Sequence, residues 1–144
     1  MAAGTSPIFY AAVHNEAPHT DGDGGASGAL KTQNLNLDGT GTLLTLFTGA
    51  ANGSGLNYVT LRAAGTNVTT VARFFYFDTS ASTTNLIDEI TLAPTTASTT
   101  AALPPFIWVP PLNIIRLESG DKVKMTLGTT VSAGYFAVAF GGDF

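Results

Sequence analysis

The sequence predicts an all-β fold, an antiparallel β-sandwich that is jelly-roll-like, and three observations carry that expectation. Eight to nine short runs rich in Val, Ile, Thr, Phe and Tyr recur along the chain, separated by Gly, Asn, Asp and Ser turns. Several runs alternate polar and apolar residues with period two, and no run supports a helix longer than one turn. The 144 residues suit one domain. Size scaling gives a folded surface of roughly 7,000 Å² against roughly 21,000 Å² unfolded, enough burial for a sandwich core without staples.

The stretch Gly55–Asp78 organises the expectation. Leu56–Ala63 and Val68–Phe77 are β-forming runs around a short Gly65-Thr66-Asn67 connection, which reads as a hairpin. In the first run Tyr58, Thr60 and Arg62 alternate with Val59, Leu61 and Ala63, giving one wet face. The second run is apolar on both sides, with Phe74 and Tyr76 opposite Phe75 and Phe77. Such a strand is either central in a sandwich or covered by another subunit.

The other elements follow in order. Thr5–Val13 reads as a first strand or arm, with Ile8, Phe9, Tyr10 and Val13 as apolar contacts. His14–Gly28 is Gly- and Asp-rich and reads as a long loop, and Ala29–Leu37 as an irregular edge segment anchored by Leu30, Leu35 and Leu37. Residues 1–37 thus form an extended arm and loop, and 38–144 the sandwich. Thr42–Thr48 opens the core strands, and Asn52-Gly53 marks a turn with positive φ. Leu86–Leu92 places Leu86, Ile90 and Leu92 on one face, interrupted by Asp88. The Thr/Ala run Ala93–Ala102 reads as an extended surface crossing. Phe106–Val109 holds the single tryptophan, Trp108, between two Pro-Pro pairs, which predicts a short edge strand or one that bends between sheets. Ile114–Leu117, the turn Ser119-Gly120-Asp121, alternating Lys122–Leu127, and Tyr135–Phe140 complete the set, followed by a Gly141-Gly142-Asp143-Phe144 tail.

Composition excludes several functions. Charged residues make up 11%, against about 25% in ordinary domains, so the surface is built largely from Thr, Ser, Asn, Gly and Ala. Such a surface suits a protein covered by neighbours, or a secreted β-domain. Six basic against ten acidic residues give a net charge of −4, and only Lys122 and Lys124 lie close together, so nucleic acid is not an expected partner. Without cysteine there are no disulfides or thiolate metal sites. The N-terminal residues lack the pattern of a signal peptide, and no apolar run is long enough to cross a membrane. The expectation is a soluble protein made in the cytoplasm. The acceptor patterns Asn52-Gly53-Ser54 and Asn67-Val68-Thr69 are then not expected to carry glycans.

Chemistry is sparse. His14, Glu16, His19, Asp21 and Asp23 are the one cluster of metal-ligand types, but H-x-E-x-x-H is not the helical zinc motif and Pro18 opposes a helix. The Asp21–Gly25 stretch lacks the spacing of a calcium loop, so the cluster reads as a solvated loop and no metal or cofactor is expected. No serine sits in G-x-S-x-G, and both histidines fall in that loop. Among the acids, Asp88 and Glu89 point to opposite faces of a strand, while Glu118 and Asp121 flank a turn. An enzyme is not expected. Phe74, Phe75, Tyr76, Phe77 and Trp108 form either a sugar-stacking platform or, as favoured here, a core on one face and a subunit interface on the other.

Residues 38–144 also resemble a group of small tailed-bacteriophage virion proteins, some of them capsid decoration (cement) proteins. The resemblance lies in the order of a DGTGT turn at Asp38, FTGAANGS from Phe47, AAGTNVTTVARFF from Ala63, a Thr/Ala crossing, an SGDKV hairpin at Ser119, and a closing AVAFGGD. Residues 1–37 depart from it. The resemblance implies a homo-oligomer, trimer favoured over dimer, on the outside of a mature capsid, bridging major capsid protein subunits. It implies a subunit interface at Arg73, Phe75, Phe77 and Trp108, and capsid contacts from Ile8, Phe9, Tyr10 and Val13. The rival expectation is a carbohydrate- or receptor-binding module of a phage tail or fibre, with Trp108 or Tyr135 exposed in a concave aromatic site.

Overall fold

A computed structural model describes residues 12–16, 29–111 and 115–144. Nine strands appear among them: β1 (Ala12–Glu16), β2 (Leu44–Thr48), β3 (Ser54–Ala63), β4 (Thr70–Asp78), β5 (Thr83–Leu92), β6 (Phe106–Trp108), β7 (Ile115–Leu117), β8 (Lys122–Leu127) and β9 (Tyr135–Asp143). They form two antiparallel sheets. The first runs β1-β9-β3-β6, with β7 also paired to β3, and the second runs β2-β8-β4-β5. The all-β sandwich expected from the sequence is the observed architecture.

The pairing is nested. β1 meets β9, β2 meets β8, β3 meets both β6 and β7, and β4 meets β5. The chain therefore behaves as one long hairpin that has been rolled, which brings β9 against β3 and β8 against β4. Rolling separates two pairs of strands that are neighbours in sequence. β3 and β4 do not form the expected hairpin; they lie in different sheets, joined by an arch. The arch is pinned at Asn67, whose buried side chain donates to the Gly134 carbonyl at 3.0 Å and accepts from the backbone N–H groups of Ala133 and Gly134, both at 2.9 Å. Asn67 and Thr95 also exchange backbone hydrogen bonds, which fastens the Thr/Ala crossing to the same corner. The Ser119-Gly120-Asp121 turn likewise passes from β7 in the first sheet to β8 in the second, so it too is an arch and not a hairpin.

The core lies between the sheets. Leu56, Val59 and Leu61 of β3, Ala72 and Phe74 of β4, Val123, Met125 and Leu127 of β8, and Phe47 of β2 are buried there. Trp108 from the first sheet stacks on Phe74 from the second, with centroids 3.9 Å apart and planes 4° from parallel. Its indole Nε1 donates to Asp88 Oδ2 at 2.8 Å. The acid that interrupts the apolar face of β5 is thus the partner a buried tryptophan N–H requires.

Three further differences have physical causes. His14–Glu16 lie in β1, paired with Gly141, Phe140 and Ala139, and not in a loop. The presumed tail Gly141-Gly142-Asp143 continues β9. A side chain at Gly141 would sit 2.2 Å from the Gly55 carbonyl and 2.9 Å from Phe47, so glycine is what lets the strand run on between them. Leu30 is buried and bridges Tyr135, whereas Leu35 and Leu37 are 60% and 52% exposed and do not anchor the segment.

Candidate functional site

The residues expected at a subunit interface are largely used inside the chain. Phe75 is fully buried and Trp108 is 1% exposed. β4 is a central strand, and its outer face, bearing Arg73, Phe75 and Phe77, is crossed by the chain itself. The Asn34 N–H donates to the Leu127 carbonyl at 2.9 Å, Arg73 reaches the Asn34 carbonyl, and Gly39 lies so near Thr84 of β5 that a Cβ there would clash with it. The segment therefore passes from β8 over β4 to β5, where a neighbouring subunit was expected. Arg73 pairs with Glu89 at 2.7 Å, and Phe77 lies under the Lys124 ammonium at 4.6 Å. Burial, with Lys122 nearby, holds Lys124 below its ordinary pKa. Of the expected capsid contacts, Ile8, Phe9 and Tyr10 lie outside the described residues. Val13 falls in β1, where its backbone pairs with Gly142.

No catalytic constellation assembles among the described residues, and none of their His, Asp or Glu side chains group in threes that could hold a metal ion. His19, Asp21 and Asp23 lie outside them. A polar hollow of about 320 Å³ is lined by Tyr76, Asp78, Ser80, Arg116, Glu118 and Asp121. Its Asp121 carboxylate is already committed: it accepts from Tyr76 OH and from the N–H groups of Thr79 and Glu118, both at 3.0 Å. Burial raises the Asp121 pKa, but those donors outweigh it and hold the carboxyl below its usual value. Burial and the same hydrogen bond push the Tyr76 phenol above its ordinary range. The Asp121 carbonyl also accepts from Gly49 N–H at 2.8 Å, so this residue locks three loops at one end of the sandwich. That is a structural corner.

The feature that stands apart is the outer face of the first sheet. β9 reads Tyr-Phe-Ala-Val-Ala-Phe from residue 135, and its pleat turns Tyr135, Ala137 and Ala139 inward, all buried. Phe136, Val138 and Phe140 point outward and are half-buried. Register sets them opposite Arg62, Thr60 and Tyr58 of β3, while Thr60 faces Ile107 of β6 on its other side. Tyr58 stacks on Phe140, with centroids 4.7 Å apart and planes at 16°. Ile107, Val109 and Tyr58 are 58%, 48% and 37% exposed, and with Asn57 they line a shallow hollow of about 610 Å³. Arg62 is the one charged residue among these outward positions of β3, β6 and β9. A contiguous apolar face of this kind on a sandwich has the character of a contact surface.

The residue pattern offered a signal for this face that the strand-by-strand reading passed over. Two alanines point into the core from β9 while two phenylalanines and a valine point out, the reverse of a strand with a solvated outer side. The inward alanines fit because Trp108, Phe74 and Phe47 already fill the space between the sheets. Comparison with family models and with curated proteins gives no match to this chain.

Proposed function

We propose that this chain is a structural protein of a tailed-phage virion, a capsid decoration protein with no catalytic role. We read its nested strand pairing as a jelly roll. On this reading copies associate with one another and bind the outside of the mature shell, bridging adjacent major capsid subunits against internal DNA pressure. The observation that carries the reading is the apolar outer face of β3, β6 and β9, which leaves Ile107, Val109 and the Tyr58–Phe140 stack as a surface in want of a cover. It replaces the set Arg73, Phe75, Phe77 and Trp108 as the contact surface, with the trimer still favoured. The resemblance of residues 38–144 to phage decoration proteins supplies the partner. Binding that favours the assembled lattice stabilises it by mass action, about 2.7 kcal/mol per site at a free concentration one hundred times Kd. Many copies on one shell make the effect multivalent.

The rival glycan-binding reading asks for Trp108 or Tyr135 at the surface, and both are buried in the core. The test is co-sedimentation of the purified chain with expanded shells of the encoding phage that lack it, alongside light scattering to give its solution mass. Saturable binding that Ile107→Asp abolishes, with the variant's melting temperature unchanged, supports the reading. Failure of the wild-type chain to bind such shells overturns it.

A further inference from the structure

We propose that Asn52 is a site of spontaneous deamidation, a slow covalent modification carried by the turn between β2 and β3. Asn52-Gly53 is the one Asn-Gly pair in the chain. With no Cβ on glycine, the Gly53 amide nitrogen is the least hindered backbone nucleophile that can follow an asparagine. The step balances with water alone. The Gly53 nitrogen gives its proton to base and bonds to Asn52 Cγ; the side-chain nitrogen takes up a proton and leaves as ammonia. Water then opens the five-membered imide at either carbonyl, giving aspartate or isoaspartate. Water is consumed and ammonia released, with no oxidant or enzyme.

The structure singles this asparagine out. Asn52 is exposed and its amide has no hydrogen-bond partner among the described residues. The amides of Asn34, Asn36 and Asn67 are all engaged. Asn85 is exposed too, but it sits within β5 and is followed by half-buried Leu86. Asp38-Gly39 offers the analogous carboxyl, yet hydrogen bonds from Thr40 favour its ionised form, which is a poor electrophile.

The turn also sets the rate. Gly53 N–H donates to the Ala50 carbonyl at 2.9 Å, and its carbonyl accepts from Phe144 N–H at 3.0 Å. Ser54 Oγ accepts from Ala50 N–H at 2.9 Å and donates to Asp143 Oδ1 at 2.6 Å. The nucleophile is therefore held until the turn opens locally. The product places a new carboxylate in a hollow of about 440 Å³ that Asn52 shares with Arg116 and Glu118. Isoaspartate also lengthens the main chain at the entry to β3, the strand that pairs with β9, β6 and β7. The mark accumulates with the age of the folded protein.

The test is to age the purified full chain in mildly alkaline buffer and map asparagine conversion by peptide mass spectrometry with isoaspartate detection. Asn52 is expected to convert ahead of Asn85 and every other asparagine, faster as pH rises, and Asn52→Gln removes the fast phase. Ser54→Ala is expected to speed the conversion roughly fivefold, the factor that matches a lost hydrogen bond of about 1 kcal/mol. Should that variant unfold, all asparagines accelerate together and the order in the wild-type chain decides. An Asn52 still intact in the native chain after the urea-unfolded chain has converted overturns the proposal, as does Asn85 converting first.

Discussion

Replacing Asp121 by alanine tests the corner on which three loops depend. The substitution strands Tyr76 OH and the N–H groups of Thr79 and Glu118, all of which now donate to one carboxylate. A hydrogen bond to a charged acceptor contributes about 1.5–3 kcal/mol, and the three share one acceptor and are not additive. With Asp121 only 4% exposed, water replaces the carboxylate poorly, and the expected loss is about 3–5 kcal/mol. For a chain of this size that lowers the melting temperature by roughly 10 °C. Urea unfolding measures it, with the slope m unchanged if the change lies in the folded state. Asp121→Asn keeps the shape but removes the charge, and about 1–2 kcal/mol is expected. The pH dependence fixes the sign. A carboxyl held below its ordinary value of about 3.8 in the folded state contributes stability above its unfolded pKa and loses it as pH falls through the lower folded value. The gap between wild type and Asp121→Asn should therefore close in acid, below about pH 4. An alanine variant within about 1 kcal/mol of wild type at neutral pH would refute the reasoning.

Trp108→Phe removes the indole N–H from Asp88 while keeping a ring against Phe74, and a loss of about 2–3 kcal/mol is expected in urea unfolding. Gly141→Ala drives a methyl to 2.2 Å from the Gly55 carbonyl, and since both are backbone-bound the expected cost is about 3 kcal/mol or more, read as a fall in melting temperature. Phe75→Asp places a charge in a fully buried site and should unfold the chain by circular dichroism, instead of yielding a folded protein deficient in assembly.

The architecture was legible because its signals are local. Alternation in Leu56–Ala63 and Lys122–Leu127, with turn chemistry at Asn52-Gly53 and Ser119-Gly120-Asp121, marks strands and their ends without reference to any partner. Gly53 and Gly120 do take positive φ, 90° and 84°. The Pro-Pro pairs around Trp108 correctly mark an edge strand, because proline cannot donate to a ladder.

Which strand pairs with which was not local, and there the reading of Gly65-Thr66-Asn67 as a hairpin turn went astray. Hairpin and arch place similar residues between two strands. The choice falls to groups far along the chain, here Gly134 and Thr95 meeting Asn67. The same holds for the candidate site. A strand apolar on both faces announces only that both faces are covered. That Asn34–Gly39 runs past Arg73 of β4 to Thr84 of β5 while Ile107 and Tyr58 stay exposed on the other sheet depends on how the long hairpin rolls. Sequence by itself determined the fold class and the positions of most core strands, since these rest on residue type and period. Tertiary structure alone decided the sheet order, the role of Asp88 as the partner of Trp108, and the face left uncovered, because burial is a property of the assembled sheets and not of any one strand.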